Sequence, residues 1–267
     1  MQVAPSDTSA LRAYSPEVRQ QLFYYVLQLA DTSLLLGHRL SEWCGHGPIL
    51  EQDLALANIA LDLLGETRSL YQYAAELEGQ GRTEDDLAFL RPATEYRNPL
   101  LVEQPNGDFA ATVTRQFLFD NVHYHSLKQL ITSPDERLAA IAEKSLKEAT
   151  YHLKWSSEWM IRLGDGTIES RQRLDKAVAT LWRYSGELVT PTANEQALQV
   201  LGIIPDYAGI QNSMAAHVVN VFAEATLSVP PPAYMQQGGK HGRHTEHLGY
   251  ILAELQYMQR TYPGLTW

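Results

Sequence analysis

The chain has 267 residues and carries 21 Lys and Arg against 31 Asp and Glu, a formal net charge of −10. It therefore offers no basic stripe for a phosphate backbone, and a nucleic-acid partner is excluded as an expectation. A single cysteine, Cys44, rules out an internal disulfide framework or a thiolate metal cluster. The opening MQVAPSDTSALRAYS lacks a charged start followed by an apolar run, and no apolar run approaches the ~20 residues needed to span a bilayer, so a cytoplasmic protein with no membrane partner is expected.

Taken in chain order, the signals are helical. Ser15-Pro16-Glu17 supplies a cap, a proline at the first helical position and an acid at the positive end of the dipole. A helix is predicted from there to about Cys44, where CGHGP stops it. A second runs from about 51 to 77 and ends at EGQGR. A long irregular stretch, roughly 80–107, contains ATEYRNPLLVEQPNGDF. Asp108 then caps a third helix to about Thr132. Ser133-Pro134-Asp135-Glu136 reads as a capping box opening a fourth, to about Leu163. Further helices are predicted at about 168–188, 194–202, 206–227 and 243–262. No alternating run bounded by hairpin turns marks a strand.

Four helices of this length would each span roughly 35–45 Å. Two long hairpins joined by one long connection is the ferritin-like arrangement. The fold class expected is all-α: a ferritin-like four-helix bundle with additional C-terminal helices. Residues 1–15 read as an extension and 16–267 as a single helical domain.

Each long helix places an acid on an apolar stripe. Asp31 lies with Leu27, Leu34 and His38; Asp62 lies between Ile59 and Leu63, with Asn58 and Glu66 nearby. Asp120 lies with Val113, Phe117 and Leu127; Glu148 lies with Ile141, His152, Trp155 and Trp159. A buried lone carboxylate is costly, so each needs a partner. Two hairpins would level Asp31 with Asp62 and Asp120 with Glu148, giving four inward carboxylates, the skeleton of a di-iron site.

The histidines break the pattern. Three residues after Asp62 stands Gly65, and the second helix has no histidine. Three residues after Glu148 stands Tyr151, with His152 one place late. Only Asp120 to His123 has the right step, and on the helix where the usual pattern has a lone glutamate. The reading is a vestigial di-iron site at Asp31, Asp62, Asp120, His123, Glu148, Tyr151 and His152, with no metal held and no catalytic residue. Cations such as His38, Arg39, Arg68, Arg115, Lys147 and Lys154 should then balance the acids. The rival reading is an active di-iron oxygenase using Asp31, Asp62, Asp120, His123, Glu148 and His152. A third is an iron store or a plain helical adaptor.

The stretches RLSEWCGHGPILEQDLALANIALDLLG (39–65), LLVEQPNGDFA (100–110), KEATYHL (147–153), EATLSVP (224–230) and HTEHLGYILAELQYMQR (244–260) resemble the PaaC family. These are the non-catalytic ferritin-like subunits of the bacterial ring 1,2-phenylacetyl-CoA epoxidase, and the resemblance runs from about residue 24 to Trp267. It implies a partner subunit, PaaA, that carries the di-iron centre, other epoxidase subunits that include a reductase, and no cofactor bound by this chain. Catalytic relatives carry a Glu-x-x-His-His segment; here it reads Glu148-Ala-Thr-Tyr151-His152. An apolar stripe left uncovered by this chain alone is expected, as an obligate interface requires.

Two loops add candidate contacts. Glu95, Tyr96, Arg97 and Asn98 are candidates for a substrate or CoA contact, through which phenylacetyl-CoA would touch the edge of this chain. The segment GGKHGRHTEHLG (238–249) could set basic groups near phosphates. His244, Glu246 and His247 within it lack a nearby third ligand for a metal.

Overall fold

The computed structural model describes residues 14–265; residues 1–13, most of the expected N-terminal extension, and 266–267 lie outside them. Four long helices form the bundle: α1 (Pro16–Ser41), α2 (Leu50–Glu78), α5 (Phe109–Leu130) and α6 (Glu136–Gly164). The described residues contain no strand. α1 and α2 form one hairpin, α5 and α6 the other, and α2 packs on α6.

Local chemistry sets the ends. The Ser15 hydroxyl accepts from the Val18 amide at 3.3 Å, with Pro16 opening the helix. α2 stops where Gly79 takes φ +68°, a conformation glycine adopts without strain. The Asp108 carboxylate accepts from the Ala111 amide at 2.9 Å and caps α5. At α6 the cap is Asp135, which accepts from Leu138 N at 2.8 Å, rather than Ser133. Ser133 instead donates to the Ile203 carbonyl at 2.6 Å and fastens the loop to a later element.

The crossover between the hairpins is more ordered than its sequence indicates. It holds α3 (Glu84–Phe89), a 3-10 turn (Ala93–Glu95) and α4 (Leu100–Glu103). α7 (Ile168–Leu181), α8 (Ser185–Leu188), α9 (Ala193–Val200) and α10 (Tyr207–Glu224) follow, with α7 and α10 against α5 and α9 against α1. The expected helix over 168–188 is broken by a 3-10 turn at Trp182–Tyr184. An extended stretch then leads to α11 (Glu246–Leu255) and α12 (Tyr257–Thr261), and α11 returns to the crossover.

The core lies where the stripes meet. Leu22, Leu35, Leu56, Ile59, Phe117 and Met160 are fully buried within it. Most of the bundle's stability comes from this burial rather than from helix propensity.

Candidate functional site

Asp31 is fully buried, but it does not face the other acids. It accepts from the Tyr71 hydroxyl at 2.6 Å, from the Arg97 amide at 2.8 Å, and from both terminal nitrogens of Arg91. Arg91 lies on the crossover with its guanidinium 4.2 Å from the Tyr96 ring centroid, and it also donates to the Glu95 carbonyl at 3.0 Å. Burial and the neighbouring Asp31 charge raise the Tyr71 hydroxyl well above its ordinary pKa, so it stays a donor. The expectation of four level carboxylates is therefore corrected. A buried acid takes the counter-charge within reach, and for Asp31 that is an arginine of the crossover.

Glu66 supplies the acid at the centre of the bundle. Its Oε1 accepts from Ser33 Oγ of α1 at 3.2 Å and lies 3.0 Å from His123 Nε2 of α5. Burial works against both charges. The pair overcomes it, since Glu66 falls below the usual carboxylate range and His123 rises above the usual imidazole range. Beside this pair, Asp62 Oδ2 lies 3.0 Å from His152 Nε2, where burial holds His152 below its ordinary pKa. Glu148 is half-buried, and burial and the Asp62 charge raise its pKa. Asp120 accepts from Gln116 Nε2 at 2.6 Å and Ser156 Oγ at 2.8 Å, yet burial pushes its pKa up to about 7.

The structure thus brings Asp62, His123, Glu148 and His152 around Glu66, sets Asp120 near His123, and leaves out Asp31 and Tyr151. Tyr151 is exposed on α6 and meets only the edge of His152, with 6.2 Å between ring centroids. Among the described residues, no group of three or more His, Cys, Asp or Glu side chains is gathered as a metal ion requires. Asp62, Glu66 and Asp120 are each engaged by a donor from another side chain.

The expected counter-charges also lie elsewhere. Arg39, largely buried, pairs with Glu42 and donates to the Glu103 carbonyl, while Arg68 pairs with Glu84 and Lys154 with Glu158 toward the surface. Arg115 is buried and donates to the Gln104 carbonyl and the Asn106 side chain, each at 2.6 Å. His38 is half-buried in the last turn of α1, and Lys147 is exposed. Arg91 and His123 supply the counter-charges for Asp31 and Glu66, while His152 lies beside Asp62 with its pKa held down by burial.

The two candidate loops pack on each other. Tyr96 and Asn98 are buried, and the Tyr96 hydroxyl donates to the Ala88 carbonyl at 2.6 Å. Of Glu95–Asn98, only Arg97 lines a cavity of about 330 Å³, together with Tyr24, Gln28, Glu195, Lys240 and His241. Lys240 is buried and holds Glu195 at 3.2 Å; Glu195 also accepts from Gln28 at 2.8 Å and from the Tyr207 hydroxyl. Glu187 accepts three backbone amides: Leu100 and Gly238 at 2.8 Å and Lys240 at 3.3 Å. His244 Nε2 lies 3.0 Å from the Tyr96 carbonyl, a structural bond rather than a free ligand. Glu246 is exposed at the start of α11, and His247 is half-buried.

Sequence reasoning missed Arg91, Glu187, Glu195 and Lys240, and ranked Glu66 as a bystander. Arg91 had one signal, a lone cation closing the apolar run LAFL before a proline. The others had none, because their partners come from remote elements.

The family model described as phenylacetic acid catabolic protein matches residues 5–267. A component of the 1,2-phenylacetyl-CoA epoxidase of Escherichia coli (strain K12) is 49% identical over 247 residues, which cover 92% of this chain and 99% of that protein. The chain belongs to the phenylacetic acid catabolic protein family.

Proposed function

We propose that this chain is a structural, non-catalytic subunit of a phenylacetyl-CoA ring 1,2-epoxidase, working in the cytoplasm beside a di-iron catalytic subunit of the PaaA type. One observation carries the reading. The polar groups at mid-bundle are closed on one another, Glu66 with His123 and Asp62 with His152, while Arg91 holds Asp31. Such groups tie helices together and leave no set of open donors for oxygen chemistry. The likeness to a component of this epoxidase supports the assignment.

The role is indirect. This chain buries a face of the catalytic subunit, fixes its helices and borders its substrate. Iron belongs to the partner. In this reading Arg97, which lines the cavity with Lys240 and His241, would meet a CoA phosphate.

The test is the iron content and oxygen-dependent turnover of the chain expressed alone with iron supplied, and again with the catalytic subunit. Iron near zero and no turnover alone, with a stable complex on co-expression, is expected. Iron approaching two atoms per chain, with turnover, would overturn the reading in favour of an oxygenase with its own unusual ligand set.

A further inference from the structure

α2 carries an apolar seam that no other part of this chain covers among the described residues. Leu50 is 71% exposed, Leu54 55%, Leu61 65% and Leu64 36%. Their spacing is regular: Leu50, Ala57 and Leu64 form one row at seven-residue steps, and Leu54, Leu61 and Arg68 form a second. Two rows at that step are the seam along which a second helix packs, nearly aligned. Scattered single leucines on a surface are ordinary, but four on one stripe of one helix are not.

Gly65 lies in the same face, next to Leu64. A Cβ built there meets nothing within 4 Å, and the backbone is ordinary helix. Glycine inside a helix is less favourable than alanine, and nothing in the described residues requires it here. A bare helix face adjoining a leucine seam admits a close approach by another backbone. Gly37 shows that close approach inside this chain, since its Cβ position would lie 3.3 Å from the Ala60 carbonyl.

Charge selects the occupant. Glu51 and Asp62 share the flank of the seam that faces α6, where Glu148 lies near Asp62. A second copy related by a two-fold axis and packed antiparallel would set this acidic flank against its own image, between chains of net charge −10. Packed parallel, it would set Arg68 against Arg68.

We propose that the seam seats one helix of the catalytic subunit, with its closest approach at Gly65 and with Lys or Arg side chains opposite Glu51 and Asp62. This rests on the structural role given above. Docking there covers Asp62 and seals the Asp62–His152 pair from water, so the cluster in this chain lies directly beneath the contact.

The experiment measures binding of the purified full-length chain to the purified catalytic subunit by titration calorimetry, with light scattering of each chain alone. Leu61→Glu and Gly65→Leu are expected to weaken the complex at least tenfold with helix content kept and the thermal midpoint of the isolated chain not lowered, since both new side chains point outward. Glu51→Lys is expected to slow association and flatten its salt dependence. Wild-type binding by all three variants would overturn the seam and leave the structural role intact. No binding by the unaltered chain would overturn both. A dimer of this chain alone, abolished by Leu61→Glu, would make the occupant a second copy and overturn the assignment to the catalytic subunit.

Discussion

Arg91 and Asp31 are 60 positions apart in the chain and meet in the interior, both essentially without solvent exposure. The pair clamps the crossover to α1, and Tyr71 and the Arg97 amide complete the carboxylate's shell. Removing one partner of a buried pair strands the other charge. Arg91→Met is expected to cost about 3–5 kcal/mol in urea unfolding. Adding Asp31→Asn should recover part of that loss, because the remaining group no longer carries a charge. A loss in the single variant as small as that of a surface pair would show that water reaches this site.

The Glu66–His123 pair gives a pH signature. His123 is raised above its ordinary 6.5, so its contribution is fully present below pH 6.5 and is lost as pH rises through its folded value. Glu66 is lowered below 4.5, so its contribution is present above that pH and is lost as pH falls through its folded value. The pair is strongest between these limits. Glu66→Gln is therefore expected to cost about 1–3 kcal/mol near pH 6 and less near pH 9. It should also lower the His123 pKa, which an NMR titration of the imidazole would read directly. An unchanged His123 titration would mean that Glu66 is not its counter-charge.

Asp120 acts in the opposite sense. Its carboxyl ionises near 3.8 when unfolded and at about 7 in the folded chain. Between those values the unfolded state has released a proton that the native state keeps, so this group lowers stability as pH rises. Asp120→Asn removes that slope, and the unpaired Gln116 oxygen can accept from the new amide. Relative to the parent, the variant is expected to gain on the order of a few kcal/mol between pH 5 and pH 8. Denaturation curves at the two values check this; a constant difference would mean that Asp120 is already charged at pH 5.

The four long helices were legible because caps, periodicity and stop signals are local. Ser15, Asp108 and Gly79 each act on residues within one turn. The acids were legible too, since a charge on an apolar stripe stands out. What the spacing could not give was the partner of each acid. Asp31 has the right period to face Asp62, but Arg91 from the crossover engages it. Glu66 looked peripheral until Ser33 and His123, from two other helices, converged on it. Lys240 reaches Glu195 from an irregular segment that carries no periodic signal.

Glu187 is a further case of remote pairing. Its carboxylate gathers the Leu100, Gly238 and Lys240 amides, so it pins the crossover and the glycine-rich segment together. Glu187→Ala leaves these buried donors without partners, at about 1–3 kcal/mol for each one that water cannot reach. Hydrogen exchange is expected to speed up at 97–104 and 236–245 while α1 and α2 stay protected. Faster exchange everywhere, in equal measure, would show that the segments open only with the whole bundle.

Two glycines separate a structural requirement from a free position. A Cβ on Gly239 would lie 2.1 Å from the Asn98 carbonyl oxygen and 3.0 Å from the Leu100 amide, both backbone atoms. The crossover and the 3-10 turn at Gly239–His241 would have to move apart, stretching the Glu187 bonds. Gly239→Ala is expected to destabilise by about 1–3 kcal/mol, as overpacked interiors do. Gly65 lies inside α2 with open space around it. Gly65→Ala should stabilise the isolated chain by roughly 0.5–1 kcal/mol, the difference in helix propensity. Thermal or urea unfolding of both variants in parallel reads the contrast. A gain at Gly65 would mean that the fold of this chain does not need the glycine, so its reason lies in whatever packs against that face. A loss there would place the reason inside α2 itself.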